Sequence, residues 1–125
     1  MTRLPPRRKP QKSGIERGPQ RVWPRHEKWV RGHACSVPGC DDGPIELAHV
    51  RSAANAGIGL RPHSAFTVSL CTEHHREQHQ VGVEVFQRRH GIDLWALAAE
   101  FRRLSPDHAM RESLRLVEME TADAR

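Results

Sequence analysis

The chain has 125 residues and a formal charge of +5, with nine Gly, nine Pro, three Phe, three Trp and no Tyr. That length excludes more than one domain plus tails, and so little apolar bulk makes a marginal core that a metal staple would reinforce. Three cysteines are an odd number for a disulfide framework, but with one imidazole they complete a tetrahedral zinc, and no leader or membrane-length apolar run argues against a cytosolic, thiol-reducing setting.

The positive charge is concentrated at the start. Residues 1–31 hold ten Lys/Arg against Glu16 and Glu27, whereas the other 94 hold ten basic against thirteen acidic residues. Residues 1–25 carry Pro5, Pro6, Pro10, Pro19 and Pro24 among Arg, Lys and Gln, and read as a disordered basic arm. Such an arm attracts a polyanionic backbone in a salt-dependent way, or simply keeps the chain solvated.

His26–His33 follows, with Trp29 and Val30 facing inward. It leads into Cys35-Ser-Val-Pro-Gly-Cys40, where Pro38 and Gly39 make a turn that points both sulfurs at one spot. Ile45–Val50 alternates as a strand, with Ile45, Leu47 and His49 on one face and Glu46, Ala48 and Val50 on the other. Arg51–Ser64 is broken by Gly57, Gly59 and Pro62 and reads as a loop. Ala65–Leu70 is a second strand, rich in β-branched and aromatic residues.

A helix over Thr72–Gln80 comes next, with Thr72 as a plausible cap. Four ligand types crowd its start. Cys71 and His74 form a Cys-x-x-His pair that joins Cys35 and Cys40 as a structural zinc site. His75 and His79, four apart, project from one helical face. His74 and His75 are about 100° apart around a helix and cannot easily serve the same ion, so the spacing predicts a closed zinc on one side and a second, open metal on the other. Val81–His90, bracketed by Gly82 and Gly91, has no clear period. Asp93 caps a helix with Leu94, Trp95, Leu97, Ala98, Phe101 and Leu104 on its core side. Ser105-Pro106 starts a last helix to about Glu120, with a thinner stripe of Met110, Leu114 and Val117.

Together, Cys-x4-Cys, Glu-Leu-Ala-His-Val-Arg, Gly-x-Gly-x-Arg-Pro and Val-x-Leu-Cys-x-x-His-His-x-x-x-His resemble the HNH endonucleases of the ββα-metal superfamily. The likeness is closer to phage and prophage proteins of the recombination-associated, Ref-like kind, through His26–Arg31 and Phe86–Ala98, and covers about Arg25–Leu104. It implies an α+β fold, a small zinc-stapled ββα-metal finger with flanking helices. The division expected is a basic arm at 1–25, a nuclease domain at 26–104 and a helix or tail at 105–125. The likeness also implies DNA as partner and a cytoplasmic location in a bacterial or phage-infected cell.

Carried over residue by residue, the resemblance makes His49 the general base and His75 and His79 the ligands of a catalytic metal. Cys35, Cys40, Cys71 and His74 match the structural zinc, with His74 where a fourth cysteine is common. The chain departs from the family's pattern at Ala48, where many members have a further ligand. It departs again near Ser64, where an Asn or Asp braces the loop carrying the base. Asn55, the only Asn of the chain, is a candidate substitute for that brace, and His63 a candidate for a missing ligand or contact.

The chemistry is coherent without the family. A neutral imidazole can take a proton from water at neutral pH, and an open cation can hold a phosphate as charge builds. Imidazole ligands suit Zn, Ni, Mn or Co better than Mg, though Mg with extra waters fits too. Two other readings compete: a catalytically weak zinc-finger module that only binds DNA, and a zinc-stapled scaffold for proteins, which leaves His49, His75 and His79 without a task.

Overall fold

Two antiparallel strands and the helix that leaves the second of them form the centre of the molecule. The computed structural model describes residues 4–6, 20–50 and 63–123, with side chains described as far as 116. Strand β1 (Ile45–His49) pairs with β2 (Thr67–Cys71), in a register that sets Ile45 against Cys71 and His49 against Thr67. Every residue of β2 is buried. A two-stranded ribbon has no stability of its own in water, so that burial must come from helices. Helix α1 (Pro24–Arg31) and helix α4 (Leu94–Leu104) both pack on β2, and α1 meets α4 through Trp29 and Phe101, ring centroids 5.6 Å apart.

The core lies where the sheet meets helices α3 (Val83–His90) and α4. Ala48, Val50, Val68, Leu70, Phe86, Leu94 and Ala98 are all within 1 % of complete burial. Strand alternation therefore turns Ala48 and Val50 inward, and Glu46 shares their side. The buried polar groups of β2 are satisfied. Ser69 donates from its hydroxyl to the Ala34 carbonyl (2.7 Å) and accepts the Ser36 N–H at its own carbonyl (2.8 Å), which clips the Cys35–Cys40 turn to the strand. Thr67 donates to the Ser64 carbonyl at 2.6 Å.

Helix α2 (Thr72–Val81) begins with no intervening residue after β2. Its cap is Cys71, whose sulfur accepts the His74 N–H, and Thr72 instead reaches Glu46 Oε2 at 3.4 Å. The structure thus moves the cap one residue back from the expected Thr72. The stretch without a clear period is helix α3, cut off from α2 by Gly82 at φ +84° and closed by Gly91 in the left-handed region at +63°. Both conformations favour glycine.

Asp93 caps α4 as expected, accepting the Ala96 N–H at 3.0 Å. Leu94 and Ala98 are buried, Trp95, Leu97 and Phe101 half-buried, and Leu104 exposed. The last helix, α5 (His108–Asp123), starts later than Ser105-Pro106 suggests. The Ser105 hydroxyl is engaged with buried His26 Nδ1 (2.7 Å) and the Asp107 N–H (3.1 Å), and Asp107 caps the helix through the Met110 N–H. Met110 is fully buried and Leu114 half-buried; Val117 lies outside the described side chains.

Candidate active site

Two side-chain groups flank helix α2. On one side stand Cys35, Cys40, Cys71 and His74, whose ligand atoms all lie within 4.8 Å of one another. Cys35 and Cys40 come from the turn clipped to β2, Cys71 ends the strand and His74 sits in the first helical turn. The distances fit a tetrahedral ion. With Zn–S and Zn–N lengths of about 2.3 and 2.0 Å, sulfur and nitrogen ligands should stand about 3.6 Å apart and two sulfurs about 3.8 Å. His74 Nδ1 is 3.3 Å from Cys71 Sγ and 3.4 Å from Cys35 Sγ, and Cys40 Sγ is 3.9 Å from Cys71 Sγ.

Crowding of the three thiols shows in Cys40. The Asp42 backbone N–H favours its thiolate, but desolvation and the neighbouring Cys35 and Cys71 sulfurs outweigh that and push the thiol up to about 11. A dication among the sulfurs removes this penalty. The site can therefore hold a closed, structural metal.

On the other side His49, His75 and His79 line one cleft of about 370 Å³ together with Gln78, Gly82 and Val83. His49 arrives from the end of β1, and the two helical histidines stand one turn apart with tilted rings, centroids at 4.7 Å. His75 Nδ1 meets Glu46 Oε1 at 2.8 Å, and His75 Nε2 meets His79 Nε2 at 3.1 Å. A carboxylate only accepts, so Nδ1 of His75 carries the proton, and in the neutral ring Nε2 presents a lone pair to His79. Two nitrogens bound to one cation at about 2.0–2.1 Å stand about 3–3.4 Å apart, so this pair fits a shared ion. The hydrogen bond from His75 holds the Glu46 carboxyl below its usual range, against some desolvation.

Glu46 is a site residue that sequence reasoning missed. The signal was an acidic residue on the strand face that also carries Ala48 and Val50. A second missed group is Glu77 with His90, which lies close to His74. His90 Nε2 contacts both carboxylate oxygens of Glu77, at 3.0 and 2.9 Å, and its ring packs edge-on against His74 at 5.1 Å. Burial disfavours the Glu77 anion, but His90 and Arg89 outweigh it and hold the carboxyl below its usual range.

The other expected residues stand elsewhere. Ser64 is fully buried and is absent from the cleft lining. Its hydroxyl donates to Glu27 Oε2 and accepts the Trp23 N–H, both at 2.8 Å, so it ties the start of β2 to α1. His63 accepts the Ala65 N–H at Nδ1 (3.0 Å), and burial, followed by Arg21 and Arg102, depresses it to about 4. That imidazole is neutral at pH 7. Asn55 lies outside the described residues, as does most of the Arg51–Ser64 loop.

A strand pair running into a capped helix, with a closed Cys/His tetrad behind the helix and an open histidine cleft before it, is the frame of a ββα-metal finger. The family model described as "Putative HNHc nuclease" matches residues 26–100, and the chain belongs to that family of HNH nucleases. No curated protein and no solved structure matches the chain. Among the described residues no helix is long and apolar enough to cross a membrane.

Proposed function

We propose that this chain is a metal-dependent endonuclease that hydrolyses phosphodiester bonds of DNA, with His49 as general base and a divalent cation held by His75 and His79. The observation that carries this reading is the meeting of His49 with the facing Nε2 atoms of His75 and His79 in one cleft. A cation bound there supplies Lewis-acid charge to the phosphate and its leaving oxygen. His49 takes a proton from the attacking water. Glu46 fixes the tautomer and rotation of His75. The tetrad of Cys35, Cys40, Cys71 and His74 holds structural zinc and takes no part in the chemistry. The Ref-like resemblance supports a role in phage-type recombination or DNA processing.

The test is a cleavage assay on supercoiled, linear duplex, single-stranded and branched DNA, with Mg, Mn, Ni or Zn added singly. Cutting that needs one of these ions and leaves a 5′ phosphate and a 3′ hydroxyl supports the reading. Binding without cutting under every condition would transfer it to a catalytically weak DNA-binding module. Ala48 favours that alternative, since its methyl is fully buried in the core and offers the cation no further ligand.

Two further outcomes are expected. Glu46→Ala should raise the metal concentration needed for half-maximal cleavage by about 10–100-fold, the usual cost of losing a carboxylate behind a ligating imidazole. An unchanged metal requirement would remove Glu46 from the site. Deleting residues 1–20 takes away six Lys/Arg against Glu16, so DNA affinity should fall and its salt dependence flatten, with the rate at saturating DNA hardly changed. Equal salt slopes with and without the segment would show that it does not touch phosphates.

A further inference from the structure

We propose that Gln78 is a positioning residue: its side-chain amide ties the carbonyl of His49 to the helix bearing His75 and His79, and so sets where the base stands relative to the cation. This rests on the roles given above to those three histidines.

Gln78 sits on α2, next to His79 and three residues beyond His75. It is only 6 % exposed, although glutamine is usually a surface residue. Its Nε2 donates to the His49 carbonyl at 3.2 Å. That carbonyl belongs to the last residue of β1, where the ladder stops guiding the chain. One residue later the Val50 N–H is held by the Phe66 carbonyl at 2.7 Å. The strand end is thus held from β2 on one side and from α2 on the other. The Gln78 hydrogen bond joins the backbone of the base directly to the ligand helix.

The orientation of the amide is fixed by its partner. A carbonyl accepts only from the NH2 end, so Oε1 must turn away from His49. That oxygen is buried and finds no hydrogen-bond partner among the described residues. Gln78 also lines the cleft with His49, His75 and His79. A glutamine kept only for packing would be better replaced by methionine, which fills similar space without a buried acceptor. Here the N–H end of the amide holds the backbone of the base, which a methionine could not do. Ser64 cannot share the first task, because its hydroxyl is engaged by Glu27 and Trp23.

The experiment compares the full chain with Gln78→Met, His49→Ala, His79→Ala and the Gln78→Met/His49→Ala double variant. Each is assayed on supercoiled plasmid and branched oligonucleotide with Mn²⁺, alongside melting temperature and tightly bound metal. Gln78→Met should lose roughly 10²-fold in kcat, the scale expected for a base displaced by about 1 Å, with KM, melting temperature and tight metal unchanged. Excess Mn²⁺ should restore His79→Ala in part and Gln78→Met not at all. In the double variant the Gln78 change should cost nothing further, because the amide acts through His49. Should Gln78→Met fail to fold, Gln78→Glu, of the same shape and without an N–H to give, carries the same comparison. A wild-type kcat in the folded variant, a loss cured by metal, or a full loss on top of His49→Ala each overturns the proposal while leaving the nuclease standing. An unaltered chain that cuts no DNA overturns the nuclease reading and this role with it.

Discussion

Replacing His49 with alanine should slow DNA hydrolysis by roughly 10²–10⁴, the range for loss of a positioned acid–base group. Fold, tightly bound metal and DNA affinity should be unaffected, because the His49 side chain is only half-buried at the end of a strand. The contrast with His75 and His79 separates the roles. Loss of a ligand weakens the hold on the cation, so excess metal should recover part of the rate in His79→Ala. Added metal cannot supply a missing proton acceptor, and His49→Ala should stay slow at every metal concentration. A His49→Ala protein as active as the unaltered chain would leave the fold intact and overturn the mechanism.

Cys71→Ser should unfold the domain at ordinary temperature. Cys71 is 2 % exposed, ends β2, caps α2 and faces both Cys40 and His74. A serine hydroxyl is neither soft nor readily ionised, so the tetrad would lose a ligand at its centre. Structural zinc sites contribute apparent binding energies of about 10–16 kcal/mol at pH 7, whereas whole domains are stable by only about 5–15 kcal/mol. A large loss from the first term therefore exceeds what the second can absorb. Melting followed by circular dichroism, with elemental analysis of the unaltered protein, provides the test. An unchanged melting curve for Cys71→Ser, or unaltered protein purified without tightly held metal, would refute the structural role.

The tetrad was legible because its signal is spacing: Cys-x4-Cys and Cys-x-x-His survive any error in element boundaries. The two strands were legible for a similar reason, since alternation fixes their faces, although β1 stops one residue earlier and β2 runs two residues later at its start than expected. Helix α3 was not, because Val83, Val85 and Phe86 suit either period and the boundary depends on a positive φ at Gly82. Glu46 and Gln78 escaped notice because their importance is relational. Nothing in Glu-Leu-Ala-His reveals that Glu46 will meet His75 across the strand–helix corner. A glutamine between charged and imidazole neighbours looks like any solvated helical residue until the corner buries it. His26 is the same case: it stands in a basic stretch, yet packing hides it and lowers its affinity for a proton, with Asp107 and Glu27 opposing that shift.

Cys71 has a consequence for the order in which the molecule assembles. A ten-residue helix such as α2 does not persist alone in water, because closing its first turn fixes several dihedrals for a single hydrogen bond. Here that first turn is also a chelate ring, since Cys71 and His74 are at once the cap contact and two of the tetrad's ligands. With a metal in the tetrad, ion capture and helix nucleation would be one event. His75 and His79, farther along the same helix, gain their common face only after it. During chelator titration, the cleft should consequently never outlast the tetrad, and on remetallation activity should return no faster than the tetrad refills.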